Sequence, residues 1–495
     1  MVHESLRDWI EEIEAAGEIK HITAEVDWNL EAGAIARKVA NEQGPALLFE
    51  NIKDHKDTVC HKLLLNCAGS YRKTAMALGL PPETSPRGIV EFIKEKVKHK
   101  VAPIIVDSGP VKQNIVKGDA VNLFEFPVPK YNPLDGGRYI NTRGCQITMD
   151  PDTKVMNVGL YRGMIGENGK SIPSLLVPTR HWGQDLLKYA SRGEEMPCAV
   201  VYGWDPILAM VASSPVVHPD FSEYETVGAL RGKPVELVKC ELSDLYVPAS
   251  AEIVVEGWVS ADPKTFEMEG SYGEYPGFYG GLRKPKHVIR VECVTYRDEP
   301  IFHGGLTGYS PGRIEEAAYW HVPFLAALTW SSLEELGIPN ITGVWGPLIS
   351  NLTNCRISID KIYRGHARQL AAALWGLKGS QSVGKNLTVV DKDIDVFDDD
   401  AVDWAIAYRT NAELGAVQIY PGTPGGMLDP STPLPNRDVL KYGQGTWARV
   451  LIDATVNWKL EPEEQYGGKR EPPLCTQYPA EINELVDRRW KEYGL

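Results

Sequence analysis

Residues 251–259, AEIVVEGWV, and residues 287–296, HVIRVECVTY, are short runs rich in β-branched residues and bounded by turn residues. That texture belongs to strands rather than helices. Working outward, CQITMD (145–150), VMNVGLY (155–161), SLLVP (174–178), AVVYG (199–203) and VELVKC (235–240) repeat it, separated by Gly, Pro and Asp. The chain from about Tyr139 to Tyr296 is therefore expected to be mainly β, a barrel or sandwich. Before it, the turn-rich FPVPKYNPLDGG (126–137) marks a change of texture. The first 120 residues read as mixed α/β. Ser5 and Asp8 form a capping-box pattern, Leu6, Trp9, Ile10 and Ile13 share a helical face, and Gly17 supplies a stop. A strand EIKHITAEV and helices over 30–41 and 86–100 follow. Beyond Pro311, helices over 314–330 and 363–375 alternate with strand-like NCRISID and KNLTVVDKD, the rhythm of a βαβ layer. A last helix is expected from Glu481 to Tyr493.

A chain of 495 residues is too long for one ordinary domain and calls for two or three. Its 43% hydrophobic and 24% charged residues describe a globular protein, not a disordered one. A net charge of −14 disfavours nucleic acid and anionic membrane surfaces as partners. The opening MVHESLRDWIEE has neither the basic end nor the apolar core of a signal peptide, and no apolar run is of membrane-spanning length, so the expected location is cytoplasmic. Eight cysteines without a C-x-x-C pair read as buried, reduced thiols.

The acidic run DKDIDVFDDD (391–400) imitates a calcium loop, but Val396 stands where glycine is needed and Val402 where a bidentate glutamate belongs. It reads better as a strand end followed by a helix N-cap at 398–400. G-x-G-x-x-G after a strand, the Walker lysine motif, G-x-S-x-G and H-E-x-x-H are all missing, which removes the usual warrants for dinucleotide, nucleotide, serine-hydrolase and zincin chemistry.

Residues 269–281, EGSYGEYPGFYGG, place Glu269 and Glu274 five apart in a glycine-rich loop. An odd spacing sends them to opposite faces of a strand, so only a bent loop lets them converge. Gly270 and Gly273 permit the bend, and Tyr272, Tyr275, Phe278 and Tyr279 are candidates to wall off water. Two carboxyls meeting in a dry site push their pKa values apart, which suits one for proton transfer. A solvated acidic turn is the alternative. Separately, Asn157, His181 and Glu223 offer amide oxygen, imidazole and carboxylate, a set suited to Mn²⁺ or Mg²⁺ when phosphate completes the shell, with Arg162 nearby in NVGLYR. Spacing alone leaves ordinary surface or core roles open for these residues.

Taken in order, YINTRGCQITMD, MNVGLYRGM, VPTRH, SEYETVGAL, ELVKCELSDLYVPASAEIVVEG, EGSYGEYPG and KNLTVVDKDIDVFDDDAVDWAI resemble the UbiD family of prenylated-flavin-dependent (de)carboxylases over nearly the whole chain. The resemblance implies a multi-domain α/β protein: an N-terminal α/β domain (1–125), a central split β-barrel of flavin-reductase type that binds prenylated FMN (126–310), a C-terminal α/β domain (311–480) and a terminal oligomerisation helix (481–495). It implies Arg162, Glu269 and Glu274 as the catalytic network, with Glu274 the proton donor. It also implies that Asn157, His181 and Glu223 ligate Mn²⁺ or Mg²⁺ with K⁺ nearby, and that a lysine of KGSQSVGKNL, Lys378 in preference to Lys385, binds the phosphate. A separate flavin prenyltransferase would supply the cofactor, and a homodimer or an assembly of dimers is expected.

The implied substrate is an aromatic, heteroaromatic or α,β-unsaturated carboxylic acid, the tyrosine-rich 275–281 segment and Tyr309 favouring a flat one. Two other classes stand beside this: the catalytic subunit of a larger carboxylase complex, and a non-enzymatic flavin-binding barrel. The latter would be favoured by absence of Arg162, Glu269 or Glu274, and all three are present.

Overall fold

Strand pairing in the computed structural model places most of the β-rich segments in one antiparallel sheet. The model describes residues 3–214, 222–281, 283–377, 383–437 and 445–494. Seven strands take part, in the order Asn114–Lys117, Val288–Tyr296, Ile253–Val259, Met196–Tyr202, Cys145–Met149, Met156–Leu160, with Ser171–Pro173 also paired to Val288–Tyr296. Ile253–Val259 runs down the middle between Met196–Tyr202 and Val288–Tyr296 and is buried along almost its whole length. A bulge at Glu256/Gly257 bends it. Gly257 is needed there because a Cβ would meet the Arg290 carbonyl oxygen at 2.1 Å.

The sheet is open: among the described residues its end strands, Asn114–Lys117 and Met156–Leu160, do not pair with each other. Two expected strands are corrected. SLLVP is not a strand; the strand ends at Pro173, only Ser174 adds an isolated bridge to Gly163, and Pro178 removes a second donor, so 175–178 runs irregularly toward the next helix. VELVKC forms a strand, Glu236–Lys239, but in a separate three-stranded sheet with Ile104–Ile105 and Tyr246–Pro248.

The N-terminal helix Leu6–Ala15 has the expected capping box and buries Leu6, Trp9, Ile10 and Ile13. Behind it lies a sheet of Ile19–Ile22, Ala46–Phe49, Lys62–Leu65 and Ile301–His303. Its fourth strand comes from beyond the central sheet, and so the chain returns to the N-terminal layer before entering the long helix Ala318–Glu335. That helix starts later than expected, because Glu315 and Glu316 are buried side chains of the preceding strap rather than first-turn residues.

The C-terminal sheet has the order Ile341–Trp345, Asn354–Ile359, Asn386–Asp391, Gly445–Ala454, Val417–Gly425, parallel in the middle and antiparallel at both edges. The helix His366–Gly376 makes the expected βαβ crossover. Asp398 caps the helix Asp399–Arg409, while Asp391 accepts from the Val456 N–H and Asp393 pairs with Arg409, so the acidic run is structural. The last helix, Ala480–Arg489, ends in a 3₁₀ turn, Trp490–Tyr493, and buries no residue. Among the described residues no helix is long and apolar enough to cross a membrane. Seven cysteines are buried free thiols and Cys475 is exposed.

Candidate active site

The strand Met156–Leu160 organises the site from both of its ends. Arg162 lies just past its last residue, with only 10% of its side chain exposed. Its Nε is 2.9 Å from Glu269 Oε1, its Nη2 donates to Glu269 Oε2 at 3.0 Å, and its Nη1 donates to Glu274 Oε1. Glu269 is fully buried, at the end of the short strand Glu267–Glu269 that pairs with Lys284–Lys286. Glu274 sits on a tight turn closed by Glu274 N–H to Phe278 O, Gly277 N–H to Glu274 O and Gly280 N–H to Tyr272 O. The loop therefore bends as its glycines allow. At Gly277, φ is +82° and a Cβ would stand 1.7 Å from the Tyr309 carbonyl oxygen, so a side chain is excluded.

Burial raises the Glu274 carboxyl above its ordinary range, Arg162 opposes this, and Glu269 adds to it. Burial works against the Arg162 charge, but the two carboxylates outweigh it and hold the guanidinium protonated. Of the four aromatic residues expected to exclude water, Tyr272 is buried and its ring centroid lies 4.3 Å from that of Tyr139. Tyr275 is partly buried, whereas Phe278 and Tyr279 face solvent.

Support comes from segments whose sequence carried no warning. The 131–137 turn cradles the loop: Asp135 accepts from the Gly273 N–H at 2.9 Å, and the Gly136 N–H donates to Ser271 O at 2.8 Å. Tyr139 donates to Glu269 Oε1 at 2.7 Å. Below, Thr307 donates to Gly273 O, and Arg37 from the helix Glu31–Asn41 donates to the carbonyls of Thr307 and Gly308. Tyr139 does open the quoted YINTRG segment; nothing in the spacing points to Arg37 or Asp135.

Asn157 gathers the second group. Its Oδ1 lies 2.8 Å from Nδ1 of His181, the first residue of the helix His181–Ser191. Glu223 opens the helix Glu223–Arg231, is buried, and accepts from the Val158 N–H at 2.9 Å. Burial pushes its carboxyl up to about 7. Two oxygens and one imidazole suit a hard divalent ion, and a cation taking the place of the Glu223 proton would reverse that rise. Among the described residues no group of three or more His, Cys, Asp or Glu is placed to hold a metal ion; this set contains two such residues and an amide. Lys378 lies outside the described residues. Lys385 donates to Asp429 Oδ2 and Ser431 Oγ, both at 2.6 Å.

A buried arginine–diglutamate cluster beside an open β-sheet, in a chain with α/β layers before and after it, is the arrangement of a multi-domain α/β protein, and comparison with known proteins gives its family. The chain matches the 3-octaprenyl-4-hydroxybenzoate carboxy-lyase N-terminal domain over residues 10–93, the Rift-related domain of the same carboxy-lyase over 104–310 and its C-terminal domain over 320–454. It is 30% identical to the pyrrole-2-carboxylic acid decarboxylase of Pseudomonas aeruginosa, covering 99% of this chain and 98% of that one. The closed form of the vanillic acid decarboxylase of Sedimentibacter hydroxybenzoicus superimposes with a TM-score of 0.87 at 29% identity, covering 100% of this chain and 99% of that one. An evolved dimeric form of the UbiD-class enzyme HmfF from Pelotomaculum thermopropionicum, in complex with prFMN, gives 0.75 at 28% identity, covering 92% and 96%. The chain belongs to the UbiD family of carboxy-lyases.

Proposed function

We propose that this protein is a prenylated-FMN-dependent decarboxylase of an aromatic or heteroaromatic carboxylic acid, in which Glu274 returns the proton that replaces CO₂. The buried cluster of Arg162, Glu269 and Glu274 carries the reading, and the aromatic acids named for the pyrrole-2-carboxylic and vanillic acid decarboxylases support the substrate class. α,β-Unsaturated acids stand behind them. Prenylated FMN, when bound, supplies an electrophilic centre that accepts the electron pair left by CO₂. Asn157, His181 and Glu223 would hold Mn²⁺ or Mg²⁺, which together with K⁺ would supply positive charge to the cofactor phosphate, and Lys378 would bind that phosphate; the engagement of Lys385 with Asp429 and Ser431 favours Lys378 for that task.

Arg162 directs its donors at both glutamates and fixes them relative to one another. Glu269 accepts on both oxygens, from Tyr139 and from Arg162 Nη2. Glu274, raised by burial, keeps a proton and releases it to the substrate carbon. The protein walls Tyr272 and Tyr139 keep water from competing.

The central sheet is the core of a split barrel in this reading, with domains at 1–125, 126–310 and 311–480. The exposed terminal helix, with Ile482, Trp490 and Tyr493 open to contact, serves a homodimer or an assembly of dimers. The protein works in the cytoplasm, loaded by a flavin prenyltransferase.

The test is co-expression with a flavin prenyltransferase and anaerobic purification, followed by ultraviolet–visible and mass spectra and a screen of aromatic acids for CO₂ release. Bound prenylated FMN and release from at least one aromatic acid are expected. Protein that retains no flavin, or retains it and releases CO₂ from none, overturns the proposal.

A further inference from the structure

Tyr139 touches the glutamate pair, and none of the roles above gives it a chemical task. Its side chain is completely buried, and its ring lies against Tyr272. The hydroxyl is 2.7 Å from Glu269 Oε1 and 3.1 Å from the Ser271 carbonyl oxygen. A phenol has one proton to donate, and the nearer, charged carboxylate is the stronger acceptor. Glu269 thus accepts from Tyr139 on Oε1 and from Arg162 Nη2 on Oε2, with Arg162 Nε 2.9 Å from Oε1 in the same ion pair, whereas Glu274 accepts from Arg162 Nη1. Two adjacent buried carboxyls facing one guanidinium settle with the charge on the better-solvated partner and the proton on the other. The other charged groups facing the pair are Lys284 and Lys286, on the strand paired with Glu267–Glu269, and Asp135, from the 131–137 turn.

We propose that Tyr139 is a positioning residue that places the shared proton on Glu274 by donating its hydroxyl hydrogen bond to Glu269. The inference rests on the reading of Glu274 as the acid. Loss of the hydroxyl leaves the ring packing in place but removes one of the two hydrogen-bond donors on Glu269, and with it the asymmetry that directs the shared proton to Glu274.

Tyr139→Phe in the cofactor-loaded enzyme is expected to lower kcat about tenfold, the scale of one hydrogen bond to a charged group, with KM and bound prenylated FMN changed by less than about twofold. The second readout needs no turnover. In protein without cofactor, the infrared carbonyl band of protonated Glu274, assigned as wild type minus Glu274→Gln, weakens in Tyr139→Phe, and a band sensitive to Glu269→Gln appears. Site-specific 3-fluorotyrosine at 139, a stronger donor of nearly the same shape, keeps the Glu274 band and the activity. Wild-type kcat with an unchanged band overturns the proposal. So does a fall in kcat accompanied by cofactor loss with an unchanged band, which makes the residue merely structural. Failure of the Glu274 reading is separately visible as full turnover in Glu274→Gln, whatever Tyr139→Phe does.

Discussion

Asn157 and Arg162 stand near opposite ends of one strand, Met156–Leu160: Arg162 pairs with Glu269 and Glu274, while Asn157 meets His181 and its neighbour Val158 donates its N–H to Glu223. Around Arg162 the result is closed: side chains between 0% and 11% exposed, opposite charges in contact, and a tyrosine donor on Glu269 Oε1. Around Asn157 the result is half open, with His181 exposed and Glu223 buried against a backbone N–H. The contrast teaches that the first group brings its own counter-charge and is organised before any ligand arrives. The second has a buried carboxylate whose proton affinity is raised, held by the Val158 N–H, and an imidazole against the Asn157 amide oxygen, with no counter-charge of its own among these residues. In the function proposed above, the first half would move a proton and the second would hold the cofactor phosphate through a metal.

The largest effect that would break this contrast is in the closed half. Glu274→Gln is expected to lower turnover by about 10²–10⁴-fold while prenylated FMN stays bound, because glutamine keeps the shape and cannot give up a proton. Solvent deuterium at the former carboxyl carbon, readily incorporated by wild type, should appear correspondingly slowly. Full activity with normal incorporation would move the acid role, with Glu269 next in line.

The open half should respond in retention rather than chemistry. A His181→Ala, Glu223→Ala double variant is expected to retain prenylated FMN at least about tenfold less well after desalting, and EDTA should do the same to wild type. Equal retention would remove the metal assignment and, with it, the contrast.

Acid sharpens the comparison from behind the closed half. His303, next to the 304–310 strap that carries the glutamate loop, is buried with Nε2 3.0 Å from Cys67 Sγ, and burial, helped by Arg143, pushes its imidazole down to about 3. The folded form holds it neutral while the unfolded chain takes up a proton near pH 6.5. Its contribution is therefore complete above that pH and is lost as pH falls from about 6.5 toward 3, by up to about 1.4 kcal/mol per pH unit. Urea melts between pH 7 and 5 should show a shallower loss in His303→Asn than in wild type; equal slopes would place the acid sensitivity elsewhere.

The smallest effect is at the start of the helix that carries Glu223. Ser222 accepts from the Glu225 N–H, and the Glu225 carboxylate accepts from the Ser222 N–H. Ser222→Ala is expected to cost about 1 kcal/mol in urea unfolding and to loosen cofactor retention only slightly. A retention loss as large as that of the double variant would show that helix placement, not ligation, governs the open half.

The sequence by itself determined the local elements whose signals lie within a few residues: the Ser5/Asp8 capping box, the Asp398 cap, the βαβ rhythm of the last third, and a glycine loop able to bring Glu269 and Glu274 to one side. Through ordered motifs it also carried the family. What it left open was set by contacts between residues far apart in the chain. Whether Glu269 and Glu274 formed a solvated turn or a buried pair depended on Arg162 from more than 100 residues earlier, on Tyr139 and on the 131–137 turn. VELVKC has strand texture in any context, but its partners, Ile104–Ile105 and Tyr246–Pro248, put it in a different sheet. Phe278 and Tyr279 read as walls beside Tyr272, yet the turn that seats Glu274 directs them outward. Propensity and capping are properties of neighbours in sequence, whereas burial and charge pairing are properties of neighbours in space, and only the folded chain decides the latter.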